Sequence, residues 1–185
     1  MRWMLFLVVA TLAIALDTSS LIDLLSLPTL GDLAPTIAGV VLVFVVLYAP
    51  RSAALWSAWI MGMLVDLIPP AGDGVLIGPH AIGYVAATVV VLQVRTAVFR
   101  RRVLTICVLT FVALTVSVPV EVLVNTVRTW HPDPLPTWEV YSPWGALLRG
   151  VGNALYTAIV AIPVAWLLVR SLPLWGFQHL SERRA

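Results

Sequence analysis

Residues 52–83 read SAALWSAWIMGMLVDLIPPAGDGVLIGPHAIG, and the shape of this stretch decides the fold. An uncharged run, Ser52 to Val65, closes on Asp66, with Gly62 four positions before it. Pro69, Pro70, Gly72, Asp73 and Gly74 follow at once, as turn residues do. A second apolar run then opens at Val75, with Gly78 and Gly83 near its start. Two apolar runs joined by so brief a turn form an antiparallel pair of helices. A carboxylate closing such a run is costly in lipid, so Asp66 marks packing, pairing or recognition.

The rest of the chain repeats this grammar. It has 185 residues, 61% hydrophobic and 11% charged, against roughly 25% charged in soluble domains. Mean hydropathy is +1.00. A soluble fold cannot bury that much apolar surface in so short a chain, so the solvent is lipid. Six runs are expected as helices, at about 3–27, 34–49, 52–68, 75–94, 103–124 and 146–169. A spanning helix takes about 20 residues, with a range of roughly 17–25. The second run is short and must borrow flanking residues. The expected fold class is all-α, a polytopic membrane bundle of six transmembrane helices forming one domain over 1–185. No internal repeat or low-complexity tract interrupts it.

All 11 basic residues are arginines. Arg2, Arg51, Arg95, Arg100, Arg101, Arg102, Arg170, Arg183 and Arg184 fall on one side of a six-pass layout, and Arg128 and Arg149 on the other. Asp17, Asp23, Asp32, Asp73, Asp133 and Glu139 flank the arginine-poor side. The positive-inside rule then predicts six passes with both termini in the cytoplasm. The first run has a rival reading. Arg2, an apolar stretch and Ala13-Ile14-Ala15 also suit a cleaved secretory signal, which would leave five passes. Trp3, Trp166 and Trp175 are expected in an inner aromatic belt, and Trp130, Trp138 and Trp144 in the outer loop. Trp56 and Trp59 share one helical face. The scattered basic residues make no amphipathic patch, so no nucleic-acid partner is expected.

Motifs for catalysis are missing. His80, His131 and His179 lie in a helix start, an outer loop and the tail, with no HExxH pair or Cys-His cluster. There is no nucleophile elbow, and Gly72-Asp73-Gly74 reads as a turn. No enzyme activity, metal or cofactor is expected. Cys107 lies alone in an apolar run and has no cysteine to pair with. What remains are charges at the membrane boundary. Asp66 and Glu121 sit towards the outer ends of the third and fifth runs, with Arg149 at the same level of the sixth. Asn153 lies one turn deeper on the face of Arg149. Asp66, Glu121 and Arg149 are therefore expected to meet in one layer, unless each merely reaches interfacial water. Pro119 and Pro163 fall inside the fifth and sixth runs, where proline usually kinks a helix. Ala58 with Gly62, and Ala154 with Ala158, set small residues four apart, which lets helices approach closely. The loop from Thr129 to Pro143 is rich in proline and aromatics, suited to docking a partner or to ordinary interfacial anchoring.

Over residues 59–84 the chain resembles the MreD family of bacterial rod shape-determining membrane proteins. The resemblance rests on Gly62-Met63-Leu64-Val65-Asp66, a turn, Gly78 opening the next helix, and Tyr84 further along. Glu121 resembles a carboxylate late in the fifth pass of that family, although its type differs. The turn from Pro69 to Gly74 and the loop before the last run are longer than the family's pattern. The resemblance implies a non-enzymatic scaffold of the machinery that elongates the lateral cell wall. It implies binding to an MreC-like bitopic membrane protein and, through it, to MreB, RodA and a class B penicillin-binding transpeptidase. It also implies a fold similar to the substrate-binding S-components of energy-coupling-factor importers. That similarity supplies the alternative function, a small-molecule-binding importer subunit with a site around Asp66, Glu121, Arg149 and Asn153. The first run lacks the A-x-x-x-A spacing that docking to such an importer would favour. Gly62, Asp66, Gly78, Tyr84, Glu121, Arg149 and Asn153 are the candidates for partner binding or buried polar contacts.

Overall fold

The computed structural model describes residues 2–19, 33–68, 78–96, 103–128 and 142–177. Among them are six helices: α1 (Trp3–Asp17), α2 (Ile37–Tyr48), α3 (Arg51–Asp66), α4 (Pro79–Val94), α5 (Val103–Arg128) and α6 (Pro143–Arg170). A 3-10 turn, Leu172–Trp175, follows α6. No strand occurs among the described residues, so the chain is a helical bundle.

The centre of the bundle is α2. Its sequence is apolar all round, and every residue from Ala38 to Leu47 is buried. A helix without a polar face has nowhere to go but the core, and α2 touches each of the other five helices. Its 12 residues span only about 18 Å. The other helices surround it, with α3, α4, α5 and α6 packed as sequential neighbours and α1 against α2 and α3.

Helix ends follow local chemistry. Only Ala49 and Pro50 join α2 to α3; Pro50 is extended at the N-cap, so the two helices run antiparallel. At α4, Gly78 takes φ 130°, a conformation that glycine alone adopts readily, and Pro79 occupies the first helical turn. At α6, the Ser142 hydroxyl accepts from the Gly145 N–H at 3.2 Å, with Pro143 at the first position. Pro119 and Pro163 lie within α5 and α6, which run on through both.

The boundaries differ from those expected in instructive ways. The first helix stops at Asp17, whereas the sequence suggested continuation to Leu27; residues 20–32 lie outside the described residues. In α5 and α6 the helix runs beyond the expected apolar stretch, to Arg128 and back to Pro143. These two helices are long and apolar enough to cross a membrane. By the same test α1, α2 and α4 are shorter apolar helices.

At the end of the bundle holding Arg2, the chain closes on itself. Trp175 is 1% exposed. Its indole N–H donates to Ser171 Oγ at 2.9 Å. Its ring stacks on Phe177 with centroids 5.6 Å apart and meets the edge of Phe44 at 5.2 Å. The Arg2 N–H donates to the Trp175 carbonyl at 3.2 Å, tying the first helix to the end of the last. Trp175 is therefore a core residue and not the interfacial anchor its sequence position suggested. Gly176, at φ 58°, ends the 3-10 turn directly after it. Trp3, Trp144 and Trp166 are exposed near helix ends, with the Arg170 guanidinium 4.6 Å above the Trp166 ring. Trp56 and Trp59 are exposed on α3. Trp130, Trp138 and the turn Gly72-Asp73-Gly74 lie outside the described residues.

Candidate functional site

At the opposite end of the bundle, helices begin and end in a layer of polar side chains. The physical problem is common to them all. The first N–H groups of a helix have no partner within the helix, and in an apolar surrounding they must find one. The chain solves it twice in the same way.

The first solution is Asp66, the last residue of α3. Its carboxylate accepts from the Gly78 N–H at 2.8 Å, the His80 N–H at 3.2 Å and the Ala81 N–H at 3.3 Å. It thereby caps α4 from a neighbouring helix and sets a negative charge at the positive end of the helix dipole. His80 Nδ1 lies 2.7 Å from Asp66 Oδ1. A carboxylate only accepts, so Nδ1 carries the hydrogen. His80 Nε2 faces Glu121 Oε2 at 3.8 Å, beyond hydrogen-bonding reach but within ion-pair distance. Asp66, His80 and Glu121 thus link the ends of α3, α4 and α5. Asp66 is buried, His80 is 41% exposed at its side chain, and Glu121 lies between.

Gly62 and Gly83 make this approach possible. A Cβ at Gly62 would lie 2.6 Å from the Ala81 nitrogen, so the α3 and α4 backbones touch only because position 62 has no side chain. A Cβ at Gly83 would lie 3.1 Å from Glu121 Oε1 and 3.2 Å from Ser117 Cβ. Tyr84 is buried one turn below His80, with ring centroids 6.2 Å apart.

The second solution is Asp17, the last residue of α1. Its two oxygens accept from the Ile37 and Ala38 N–H groups at 2.7 and 2.9 Å, capping α2. The extended segment just before α2 is held by α6. Asn153 Oδ1 accepts from the Ala34 N–H at 3.2 Å, and Thr157 Oγ1 from the Thr36 N–H at 3.0 Å. The far end of α2 carries the opposite charge. Arg95 Nη1 donates to the carbonyls of Val46 and Ala49 at 3.0 and 2.9 Å.

The expected three-residue layer is therefore assembled in part. Asp66 and Glu121 come together with His80 as the bridge, a residue read from sequence only as a helix start. Arg149 does not join them. Gly150 seats against Val118, where a Cβ would lie 2.5 Å from Val118 Cγ1, so Arg149 has the depth expected for it. Its direction is different. Ala154, Thr157, Ala161, Ala165 and Leu168 form the buried face of α6. Five residues from Ala154 is about 140° around a helix, which turns Arg149 outward, where it is exposed. Among the described residues it makes no ion pair. Asn153 serves the backbone ahead of α2 and not Arg149. Gly62, Gly78 and Tyr84 pack or shape the α3–α4 corner. The loop from Thr129 falls outside the described residues as far as residue 141.

Sequence reading missed Asp17 as a cap, although it has the same signature as Asp66: an aspartate closing an apolar run before a turn. Among the described residues no group of three or more histidine, cysteine, aspartate or glutamate side chains is arranged to hold a metal.

A family model described as rod shape-determining protein MreD matches residues 1–169. The chain belongs to the MreD family of rod shape-determining membrane proteins. No curated protein and no solved structure gives a match.

Proposed function

We propose that this chain is a non-enzymatic scaffold of the lateral wall-elongation machinery in the bacterial inner membrane. It crosses that membrane six times, with both termini in the cytoplasm. Its direct partner is an MreC-like protein with one transmembrane helix and a periplasmic body. MreB, RodA and a class B transpeptidase are reached through that partner. The family supports rod-shape determination, and the polar layer supports a rigid body that holds its partner.

One observation carries the reading. The polar groups at the Asp66 end are spent on the chain's own backbone: Asp66 on α4, Asp17 on α2, Asn153 and Thr157 on the segment ahead of α2. Helix N-termini are ready sites for anionic ligands; of the three at this end, those of α4 and α2 are occupied by internal carboxylates and that of α6 is capped by the Ser142 hydroxyl. Such a layer stabilises a fixed shape and, among the described residues, leaves no cluster of unsatisfied donors for a substrate. That weighs against an importer subunit for small molecules.

Co-expression with the cognate MreC-like protein, followed by crosslinking in membranes, tests the reading. The expected outcome is a stable one-to-one contact. A chain that never contacts that protein, yet gains thermal stability with a vitamin at micromolar concentration, would establish the importer function instead.

A further inference from the structure

We infer that His80 and Glu121 hold one proton between them, and that this proton closes a pH-operated latch between the first turn of α4 and α5. The inference goes beyond the scaffold reading and is tested without any partner, so the two stand or fall separately.

A count of lone pairs leads there. An ionised carboxylate offers about four acceptor sites over its two oxygens. Asp66 has them filled: Oδ1 takes the His80 N–H and the His80 ring, and Oδ2 takes the Gly78 and Ala81 N–H groups. Asp66 has no room for a proton of its own, and it fixes the ring hydrogen on Nδ1. Nε2 is therefore the nitrogen that gains or loses a proton, and it faces Glu121 Oε2 at 3.8 Å. With a neutral ring and an ionised Glu121, two groups of lone pairs confront each other. A proton on either side turns that repulsion into attraction. It makes an imidazolium beside a carboxylate, or a carboxylic acid aimed at a ring nitrogen. Two sites this close titrate as a pair, so the proton belongs to both.

The surroundings convert the proton into a force between helices. A Cβ at Gly83 would lie 3.1 Å from Glu121 Oε1, so the carboxylate is seated on the α4 backbone. His80 is held to the end of α3 through Asp66. Loss of the proton therefore pushes α5 away from the α3–α4 pair at this end. The His80 side chain is 41% exposed, against 1% for Asp66 and 21% for Glu121, so the proton has a path to water. Among the described residues, the other titratable or charged groups of this layer are Tyr84, Asp17 and Arg149. Tyr84 is buried one turn below His80 on α4. Asp17 of α1 is committed to the N–H groups of α2. Arg149 of α6 makes no ion pair with Glu121.

The test uses the full chain in lipid nanodiscs. The chain has three histidines, and His131→Gln with His179→Gln leaves His80 alone to report. The nitrogen chemical shifts of its ring are followed from about pH 5 to about pH 9, the range that brackets histidine. Both ring nitrogens should carry hydrogen at the acid end, and Nδ1 alone at the alkaline end. Spin labels at Ile82→Cys on α4 and Leu123→Cys on α5, both exposed positions, read the latch in a Cys107→Ser background. Their separation should grow by about 1–2 Å as pH rises, the size of a small helix shift, and shrink again when pH is lowered. Glu121→Gln should flatten this response, because its amide N–H donates to the bare Nε2 at any pH. His80→Gln, with nothing left to titrate opposite Glu121, should flatten it too and serves if Glu121→Gln fails to fold. A neutral ring with its hydrogen on Nε2 overturns the shared proton. Titration of His80 without a change in distance overturns the latch. A distance change that survives these variants belongs to other groups and overturns it as well.

Discussion

Asp66 illustrates how one side chain carries several obligations. Its carboxylate holds three backbone N–H groups and the His80 ring. Asp66→Ala removes the partner from all of them at once. A buried donor left unsatisfied costs about 1–3 kcal/mol, so a loss of at least about 3 kcal/mol is expected. Asp66→Asn keeps one acceptor oxygen and should lose roughly half as much. Unfolding of both variants in detergent by chemical denaturant measures the order, and equal losses would show that the amide satisfies none of the donors. Gly78 makes a cleaner case. Nothing lies within 4 Å of a Cβ there, so Gly78→Ala meets only the cost of φ 130°. That is about 1–3 kcal/mol of backbone strain, and the same unfolding measurement reads it.

At the scale of the element, α2 is the test piece. Twelve residues buried on every side have no polar face of their own, so both ends are capped by charges from elsewhere in the chain. Asp17 serves the N-terminus and Arg95 the C-terminus, each with the sign that suits the helix dipole. Asp17→Ala should therefore expose the amides of Ile37 and Ala38 to hydrogen exchange while those of α5 stay protected. Uniform exchange across both helices would mean that α2 does not open on its own. The α3–α4 pair depends instead on contact between backbones. Gly62→Ala puts a methyl group against the Ala81 backbone, which cannot move aside as a side chain can. Overpacking of this kind costs about 1–3 kcal/mol, and a separation of α3 from α4 should appear as a longer spin-label distance between them.

The whole molecule is closed at one end by carboxylate caps and at the other by aromatic stacking. Trp175, Phe177 and Phe44 bind the end of the chain to the core, and Arg2 joins it through the Trp175 carbonyl. The family match ends at residue 169, before this closure. Trp175→Ala should cost about 3–5 kcal/mol and loosen α1 as well as the tail, read as faster proteolysis near Trp3. The orientation is also decided at this scale. Reporter tags beside Arg51 and beside Arg95 should both be active only in the cytoplasm, and activity of either in the periplasm would reverse the threading.

From the sequence alone came the helical class, the apolar runs, the family signature at Gly62–Asp66 and the depth of Glu121 and Arg149. Hydropathy sets these quantities along the chain, one residue at a time, and no neighbour is needed to read them. Only the tertiary structure decided azimuth and partnership. Arg149 and Asn153 were read as one face with one purpose, yet one turns outward and the other holds the Ala34 N–H. His80 became the bridge between two carboxylates, Asp17 the cap of a helix 20 residues on, and Trp175 a core residue. The reason is that a helix with several apolar faces can bury any of them. Which face turns inward is fixed by close packing with its neighbours, at Gly62, Gly83 and Gly150, and that information lies between helices rather than within any one of them.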